Sequence, residues 1–208
     1  MADLEKHWET VYKTKIPTEV SWYQPHLKKS SELILHTGVD KKAHIIDIGG
    51  GTSTLADDLL AQGFRNVTVL DITAEALGVS KSRLGKSANQ ITWIEADVTQ
   101  AVLPPHAFDV WHDRAVFHFL TDAGDRRKYV DQVRHSLKPG GHLIVATFSL
   151  NGPLRCSGLN VIRYSPQTMQ TEFGNDFTLI ENFTEEHMTP FNTKQEFVYC
   201  HFKLKSKG

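Results

Sequence analysis

The segment Ile45-Ile46-Asp47-Ile48-Gly49-Gly50-Gly51-Thr52-Ser53 joins an apolar run to three consecutive glycines, and a second apolar run, Val67-Thr68-Val69-Leu70, follows and ends on Asp71. This pattern is typical of a strand that enters a glycine turn, a helix, and a second strand that ends on an acid. Asp71 lies 22 positions after Gly49, where a nucleotide-binding βαβ unit places the carboxylate that grips a ribose. The sequence therefore predicts binding of an adenosine-containing cofactor at the first strand.

The glycine turn discriminates between cofactors. A dinucleotide fingerprint needs glycine at position 54, where this chain has Thr54, and a phosphate-binding loop needs a Gly-Lys-Ser/Thr triplet that is absent. The S-adenosylmethionine (SAM) turn has the form Asp-x-Gly-x-Gly-x-Gly. Asp47, Gly49 and Gly51 match this pattern, and Ser53 replaces its last glycine. Glycines there allow close backbone approach to a ligand, although a glycine turn can also serve packing alone. Serine is small enough not to block the site.

Two acids and two apolar residues are expected around the adenosine. Asp71 can accept both ribose hydroxyls, the alternative being a helix N-cap, for which Thr73 is better placed. Asp97 follows the third predicted strand and can accept the adenine amino proton, the alternative being an exposed loop acid. Ile72 and Val98 can sandwich the ring.

Size and composition indicate one globular domain of 208 residues. The formal charge of −1 supplies no general field for nucleic acid or anionic membrane, so neither partner is expected. Cys156 and Cys200 form no CxxC motif, which favours a reducing, cytoplasmic setting. The first residues lack the apolar run of a signal peptide, and no stretch approaches the roughly 18 apolar residues of a membrane span.

Strands and helices alternate in the middle of the chain, which predicts a parallel sheet covered on both faces, the doubly wound α/β arrangement. The predicted strands are His44–Ile48, Val67–Leu70, Ile91–Glu95, Phe108–Trp111 and His142–Phe148. Helices are predicted over residues 3–14, 53–62 and 123–137, from Pro25 to Gly38, after Thr73 and after Ser165-Pro166. Two final strands, Phe177–Phe183 and Phe197–Lys203, have no helix between them and are expected to pair antiparallel.

Residues 43–148 resemble the class I SAM-dependent methyltransferases. The resemblance rests on the glycine turn, Leu70-Asp71, Ala96-Asp97-Val98, Phe108-Asp109-Val110-Trp111-His112-Asp113 and Leu137-Lys138-Pro139-Gly140-Gly141-His142-Leu143. It implies a Rossmann-like seven-stranded sheet in the order 3-2-1-4-5-7-6 with strand 7 antiparallel. It also implies S-adenosyl-L-methionine as cofactor and S-adenosyl-L-homocysteine as product, held by Asp47, Gly49, Gly50, Gly51, Ser53, Asp71, Ile72, Asp97, Val98 and Asp113.

The N-terminal part of the chain resembles a narrower group of proteins. Trp8-Glu9-Thr10-Val11-Tyr12 and Glu19-Val20-Ser21-Trp22-Tyr23-Gln24 resemble the opening of small bacterial methyltransferase-like proteins and related eukaryotic protein-lysine methyltransferases. We expect a single methyltransferase domain over residues 1–208. Its expected parts are an N-terminal helical cap or lid (1–38), the SAM-binding core (43–148), and acceptor-side loops with an antiparallel hairpin (149–208).

The methyl acceptor is expected beyond the carboxyl end of the fourth strand. His112, Asp113 and His118 are the candidate catalytic residues there, since histidine can act as a base near neutral pH. The alternative is that His118 packs on the following helix while Asp113 and Arg114 form an ion pair. The Asn/Asp-Pro-Pro-Tyr motif of nucleobase methyltransferases is missing, and no histidine pair has metal-ligand spacing, so no metal site is expected.

Five residues are expected to bind the acceptor: Trp22, Tyr23, Arg163, Tyr164 and His187. Trp22 and Tyr23 lie outside the core strands and can form a lid that excludes water. Arg163 can hold a carboxylate with two parallel hydrogen bonds, which would favour a small acidic acceptor. An exposed cation without a ligand is the alternative for Arg163.

The sequence leaves the function open within limits. The leading interpretation is transfer of the SAM methyl group to an oxygen, nitrogen or sulfur nucleophile of a small molecule or a protein lysine. A SAM-binding regulator or pseudoenzyme is the alternative, and an NAD(P)-dependent reductase is disfavoured by Thr54. The oligomeric state is not determined by these patterns.

Overall fold

The computed structural model describes residues 2–206 and contains a seven-stranded sheet with a separate two-stranded hairpin. The strands of the large sheet are β1 (His44–Ile48), β2 (Asn66–Asp71), β3 (Ile91–Glu95), β4 (Phe108–Arg114), β5 (Leu137–Phe148), β8 (Phe177–Met188) and β9 (Lys194–Leu204); the hairpin is β6 (Arg155–Cys156) and β7 (Leu159–Asn160). The helices are α1 (Ala2–Thr14), α2 (Lys28–His36), α3 (Leu55–Ala61), α4 (Ala74–Leu84), α5 (Ala123–Ser136) and α6 (Pro166–Phe173).

The strand order is β3-β2-β1-β4-β5-β9-β8, with β9 antiparallel to both of its neighbours. The predicted order and the antiparallel seventh strand are therefore confirmed. Strand pairs β1–β2, β2–β3, β1–β4 and β4–β5 are parallel. Their carboxyl ends lie at one edge, where ligands bind in open α/β sheets.

Two buried cores cover the two faces of the sheet. Neighbouring residues of a strand point to opposite faces, so Ile45 packs into one core and Ile46 into the other. The Ile45 core includes side chains of α2, α3 and α4, and the Ile46 core includes side chains of α5 and α6. This burial on both faces explains why the neighbouring residues Ile45 and Ile46 of β1 are both apolar and fully buried.

Helix ends follow the signals in the sequence with one exception. Thr73 Oγ1 accepts from the backbone N–H of Ala76, and Ser165 and Thr168 form a capping box at α6. Gly38 ends α2 with a φ of 75°, a conformation that favours glycine. However, α2 begins at Lys28 and not at Pro25.

The sequence placed the end of β4 too early. The strand was expected to stop at Trp111, but His112 pairs with Asp47 of β1 and Ile144 of β5, and Asp113 and Arg114 continue the pairing with β5. Polar side chains can continue a strand when neighbours on both sides satisfy the backbone. Similarly, β5 already begins at Leu137, and β8 and β9 form a longer hairpin than predicted.

Across residues 2–206, no helix has the length and apolar character needed to cross a membrane.

Candidate active site

A cleft with about 780 Å³ of empty space lies at the carboxyl ends of β1, β2, β3 and β4. The cleft is lined by the ends of these strands and by α1, the segment after α1 and the loop after β4. The lining residues are Leu4, Trp8, Tyr12, Trp22, Ile48, Gly49, Leu70, Asp71, Ile72, Ala96, Asp97, Val98, Arg114, Ala115, Val116, Phe119, Leu120 and Cys156.

The glycine turn after β1 packs too tightly for side chains. Gly49 has a φ of 65°, and its N–H donates to the carbonyl of Leu70 at 2.7 Å. A Cβ at Gly51 would lie 2.5 Å from Asp71 Oδ2, and one at Gly50 would overlap the carboxylate of Asp47. Gly50 and Gly51 therefore let the turn sit directly on the carboxylates of Asp47 and Asp71, while Gly49 makes room for the Val116 side chain.

Asp71 is held in place by the turn and by the next helix. Its Oδ2 accepts from the N–H of Gly51 at 3.0 Å, and its Oδ1 accepts from the N–H of Thr73 at 3.1 Å. The residue is 4% exposed and lines the cleft. Burial raises the pKa of the Asp71 carboxyl to about 6, because the charged form loses solvation.

We expect S-adenosylhomocysteine to bind less tightly as the pH falls through about 6. Ribose hydroxyls donate to the ionised carboxylate, so protonation of Asp71 below its pKa removes the acceptor they need. Calorimetry between pH 5 and 8 checks this on the wild type, and Asp71→Asn should bind more weakly without the pH dependence. Asp113 has a similarly raised pKa outside the cleft and is retained in that variant. A pH dependence that survives in Asp71→Asn would contradict the assignment.

Three residues proposed for the adenine also line the cleft. Ile72, Asp97 and Val98 lie at the ends of β2 and β3. Asp97 Oδ1 accepts from the backbone N–H of Thr99 at 2.8 Å, which orients the carboxylate at the start of its loop. The structure thus brings both predicted acids and both predicted apolar residues to one wall.

Asp47 and His112 form a buried pair beside the glycine turn. Asp47 Oδ1 and His112 Nδ1 are 2.7 Å apart, and the two residues are 2% and 0% exposed. Asp47 Oδ2 and His112 Nε2 have no hydrogen-bond partner among the described residues. Buried polar atoms are nearly always paired, so this pair is suited to a polar ligand group.

A smaller cavity of about 450 Å³ adjoins the pair and the glycine turn. It is lined by Trp22, Tyr23, Gln24, Leu27, Asp47, Ile48, Gly49, Gly50, Thr52, Ser53, His112 and Arg114. Ser53 Oγ accepts from the N–H of Leu55 at the start of α3. The two cavities share Trp22, Ile48, Gly49 and Arg114, so they adjoin each other. The larger one offers a carboxylate for the ribose, and the smaller one offers an unpaired carboxylate oxygen for an ammonium group.

Asp113 does not reach the cleft, which corrects the expectation that it serves catalysis and cofactor binding. Its Oδ2 accepts from the hydroxyl of Tyr129 at 2.6 Å, and its Oδ1 accepts from the N–H of Val116 at 2.9 Å. The Tyr129 hydroxyl in turn accepts from the indole N–H of Trp111. Asp113 is fully buried and forms no ion pair with Arg114 among the described residues, so its role is to fix the loop after β4.

We expect Tyr129→Phe to lower the free energy of unfolding by about 1.5–3 kcal/mol, because it leaves the Asp113 carboxylate short of a donor. S-adenosylhomocysteine affinity should stay unchanged. Tyr164→Phe is the matched control, since the Tyr164 hydroxyl is buried without a partner in the described part of the chain, and its removal should be neutral or stabilising. Urea unfolding measures both, and equal losses in the two variants would refute the network.

His118, Tyr164 and Arg163 also lie away from the cleft, contrary to expectation. His118 is fully buried, its Nδ1 accepts from the N–H of Phe148, and burial lowers its pKa to about 3, so it is a poor base. Tyr164 packs against Phe117 in the core. Arg163 Nη1 donates to the carbonyls of Leu150 and Gly152 and holds the loop after β5.

The segment after α1 covers the cleft and is tied to the sheet. His187 Nε2 lies 2.8 Å from the carbonyl of Ser21, and His187 Nδ1 lies 3.1 Å from Gln24 Nε2. Arg114 Nη1 donates to the carbonyl of Trp22. His187 was expected to contact the acceptor, but it anchors residues 21–24, which we call the lid segment.

Sequence reasoning missed several aromatic lining residues. Trp8 stacks on Tyr12 and meets Trp22 and Phe119 edge to face, at ring separations of 5.6 and 5.1 Å. Trp8 and Tyr12 lie four positions apart on one face of α1, which is the signal that could have found them. Arg114 was considered only as an ion-pair partner, although it lines both cavities.

The fold and the site define a class I SAM-dependent methyltransferase domain. Residues 45–141 match the family described as "Methyltransferase domain", and SAM is the cofactor of this class. This match covers just under half of the chain, and the strand order of the sheet agrees with the same class.

Known relatives are similar over part of their length. The "eEF1A lysine and N-terminal methyltransferase" of Mus musculus is 26% identical over 117 residues, which cover 56% of this chain and 16% of that protein. The "Ubiquinone/menaquinone biosynthesis C-methyltransferase UbiE" of Paracoccus denitrificans is 32% identical over 110 residues, 51% of this chain and 42% of that protein. The chain thus spans less than half the length of these curated relatives.

A solved structure has the same fold over nearly the whole chain. It is the 1,6-didemethyltoxoflavin-N1-methyltransferase of Burkholderia thailandensis with bound 1,6-didemethyltoxoflavin and S-adenosylhomocysteine. Its TM-score is 0.71 at 17% identity, covering 99% of this chain and 88% of that chain. The likeness shows the fold of the chain and no more.

Proposed function

We propose that the protein transfers the methyl group of SAM to a small-molecule acceptor bound in the aromatic end of the cleft. The observation that carries this proposal is the cover formed by α1 and the lid segment. Trp8, Tyr12 and Trp22 line the cleft from this cover, and Asp71 and Asp97 line it from the strand ends. A covered site excludes water and suits a small acceptor better than a side chain of a large protein.

The cofactor supplies a methyl group that its sulfonium already activates. The residues of this chain then have to hold the cofactor and place the acceptor. Asp71 and the glycine turn fix the ribose end, and Asp47 offers an acceptor for the ammonium. Orientation of this kind can contribute effective molarities of about 10⁵–10⁸ M.

Within the described residues, the candidate bases named for the acceptor end are poorly suited to remove a proton. His118 is outside the cleft, and burial raises the pKa of the Cys156 thiol to about 11, so the thiol stays protonated at neutral pH. Burial also raises the pKa of the Tyr12 hydroxyl. We therefore propose that the acceptor arrives as a competent nucleophile and that catalysis is mainly placement.

A protein lysine is the second candidate acceptor. Aromatic rings attract ammonium groups through cation–π interactions, and Trp8, Tyr12, Trp22 and Phe119 surround the cleft. The similar mouse protein is named as a lysine methyltransferase. The cover over the cleft and the nearby Arg114 cation favour a small molecule over this candidate.

The setting of the reaction is part of the proposal. Cys156 and Cys200 are both free and buried, which supports a reducing compartment such as the cytoplasm. The formal charge of −1 supports an acceptor other than nucleic acid.

Methyl transfer from tritiated SAM tests the proposal. The full chain is incubated with a cell extract separated into a small-molecule fraction and a desalted protein fraction, and Asp71→Asn serves as the inactive control. We expect label in the small-molecule fraction only. Label confined to protein would favour a lysine acceptor, and binding of S-adenosylhomocysteine without label in either fraction would favour a regulator.

A further inference from the structure

Arg114 is the one cationic side chain that lines either cavity within residues 2–206. It ends β4 and lies next to Trp22 and Cys156 in the lining of the larger cavity. The guanidinium is permanently charged at any pH the protein meets. The cleft therefore contains a fixed positive charge.

Neighbouring groups hold the guanidinium in one orientation. Arg114 Nε donates to the hydroxyl of Tyr199 at 3.0 Å, and Nη1 donates to the carbonyl of Trp22 at 3.2 Å. The Arg114 Cζ lies 4.3 Å from the ring centre of Phe197, so the flat face of the group rests on an aromatic ring. These contacts leave little freedom for the side chain and pre-organise the remaining donors.

One end of the guanidinium has no partner. Arg114 Nη2 is buried and makes no hydrogen bond within the described residues, and the side chain forms no ion pair there. The carboxylate of Glu185 reaches Arg114 only indirectly, by accepting from the Tyr199 hydroxyl at 3.0 Å. Buried charged donors are normally paired, which points to an anionic ligand group at Nη2.

We propose that Arg114 binds the carboxylate of the methyl acceptor, which makes the acceptor a small, largely apolar carboxylic acid. This inference rests on the proposed methyl transfer. The apolar part of the acceptor would lie against Trp8, Trp22 and Phe119, since these rings form the walls next to Arg114. The positive charge excludes a cationic acceptor, because like charges repel strongly in a site shielded from water.

The carboxylate of SAM is the alternative anionic partner for Arg114. Arg114 lines the smaller cavity as well, where the amino-acid end of SAM is expected. We assign Arg114 to the acceptor because its fixed contacts, Trp22, Phe197 and Tyr199, all belong to the lid segment and β9 and not to the cofactor strands.

Calorimetry on the full chain saturated with S-adenosylhomocysteine tests this assignment. The probes are benzoate, phenylacetate and indole-3-acetate, each compared with its neutral carboxamide. We expect the wild type to prefer each acid by at least about tenfold, as expected for a charge-assisted hydrogen bond. Arg114→Gln should lose the preference, and Arg163→Gln, which removes a cation outside the cleft, should keep it.

Several results would overturn the assignment. They are a wild type without acid preference, a preference that survives in Arg114→Gln, and a preference lost in Arg163→Gln alone. Another result would instead assign Arg114 to the cofactor carboxylate. In that case the wild type shows no acid preference, and Arg114→Gln binds S-adenosylhomocysteine more weakly but binds 5′-methylthioadenosine, which lacks the carboxylate, as the wild type does. If Arg114→Gln does not fold, Arg114→Lys is used in its place. Lysine keeps the positive charge but lacks the planar pair of donors of the guanidinium, so the preference for acids over amides should weaken.

This test is separate from that of the proposed function. If the wild type binds neither S-adenosylhomocysteine nor 5′-methylthioadenosine, the proposed function is wrong. The comparison of acids with amides, repeated on the chain alone, then still decides whether Arg114 is an anion receptor.

Discussion

Gly51→Ala is expected to weaken S-adenosylhomocysteine binding by at least about a hundredfold, or about 2.7 kcal/mol. A Cβ at this position would overlap the Cβ of Ala76 and lie 2.5 Å from Asp71 Oδ2, so the turn and the carboxylate must move apart. Overpacking costs about 1–3 kcal/mol, and a misplaced charge-assisted hydrogen bond costs about 1.5–3 kcal/mol more. Calorimetry measures the affinity, and circular dichroism confirms that the variant is folded.

Gly78→Ala is the matched control for this change. Gly78 lies in α4, the helix that also carries Ala76, and an added Cβ there would meet no atom within 4 Å. The substitution should leave binding unchanged and stabilise the helix by about 0.5–1 kcal/mol. Equal binding by the Gly51 and Gly78 variants would show that the glycine turn does not form the cofactor site.

Trp22→Ala is expected to reduce kcat/KM for methyl transfer by at least about a hundredfold, because the acceptor loses a wall and the lid no longer positions it. Trp22 meets Trp8 edge to face at 5.6 Å and lines both cavities, so its side chain is part of the acceptor wall. Affinity for S-adenosylhomocysteine should change less than about tenfold, since Asp71 and the glycine turn remain.

Trp93→Ala provides the comparison for loss of a large aromatic side chain. Trp93 lies in β3, its indole N–H donates to the carbonyl of Ala88 at 3.0 Å, and it is absent from the lining of both cavities. It should lower stability without lowering transfer per folded molecule. Full turnover by Trp22→Ala would refute the lid and move acceptor binding to the loops after β4 and β5.

The fold was predictable because its signals are local. Apolar runs, the glycine turn and the caps at Thr73 and Ser165 each lie within a few residues of the structure they specify. The strands β1 and β3 have the predicted bounds, and the antiparallel β9 follows from the absence of a helix between the last two strands. The positions of Asp71 and Asp97 in the cleft were predictable for the same reason, since Asp71 ends β2 and Asp97 lies two residues after β3.

The acceptor half depends on contacts between distant segments. His118 follows β4 as predicted, but its side chain turns into the core. There its Nδ1 accepts a hydrogen bond from the backbone N–H of Phe148 in the neighbouring strand β5. Arg163 is satisfied by carbonyls of its own loop, and His187 is drawn to the lid segment 163 positions away at Gln24. Arg114 becomes the cation of the cleft only because β4 continues three residues beyond its apolar run. None of these orientations is encoded in a local motif.

Competition between S-adenosylhomocysteine and NAD for the full chain tests the central claim most directly. The glycine turn matches the SAM pattern, and Thr54 breaks the dinucleotide fingerprint. Calorimetry at pH 7.5, a value above the raised pKa of about 6 for Asp71, should show saturable binding of S-adenosylhomocysteine and none of NAD at the same concentrations. Tighter binding of NAD than of S-adenosylhomocysteine would contradict the assignment of the cleft.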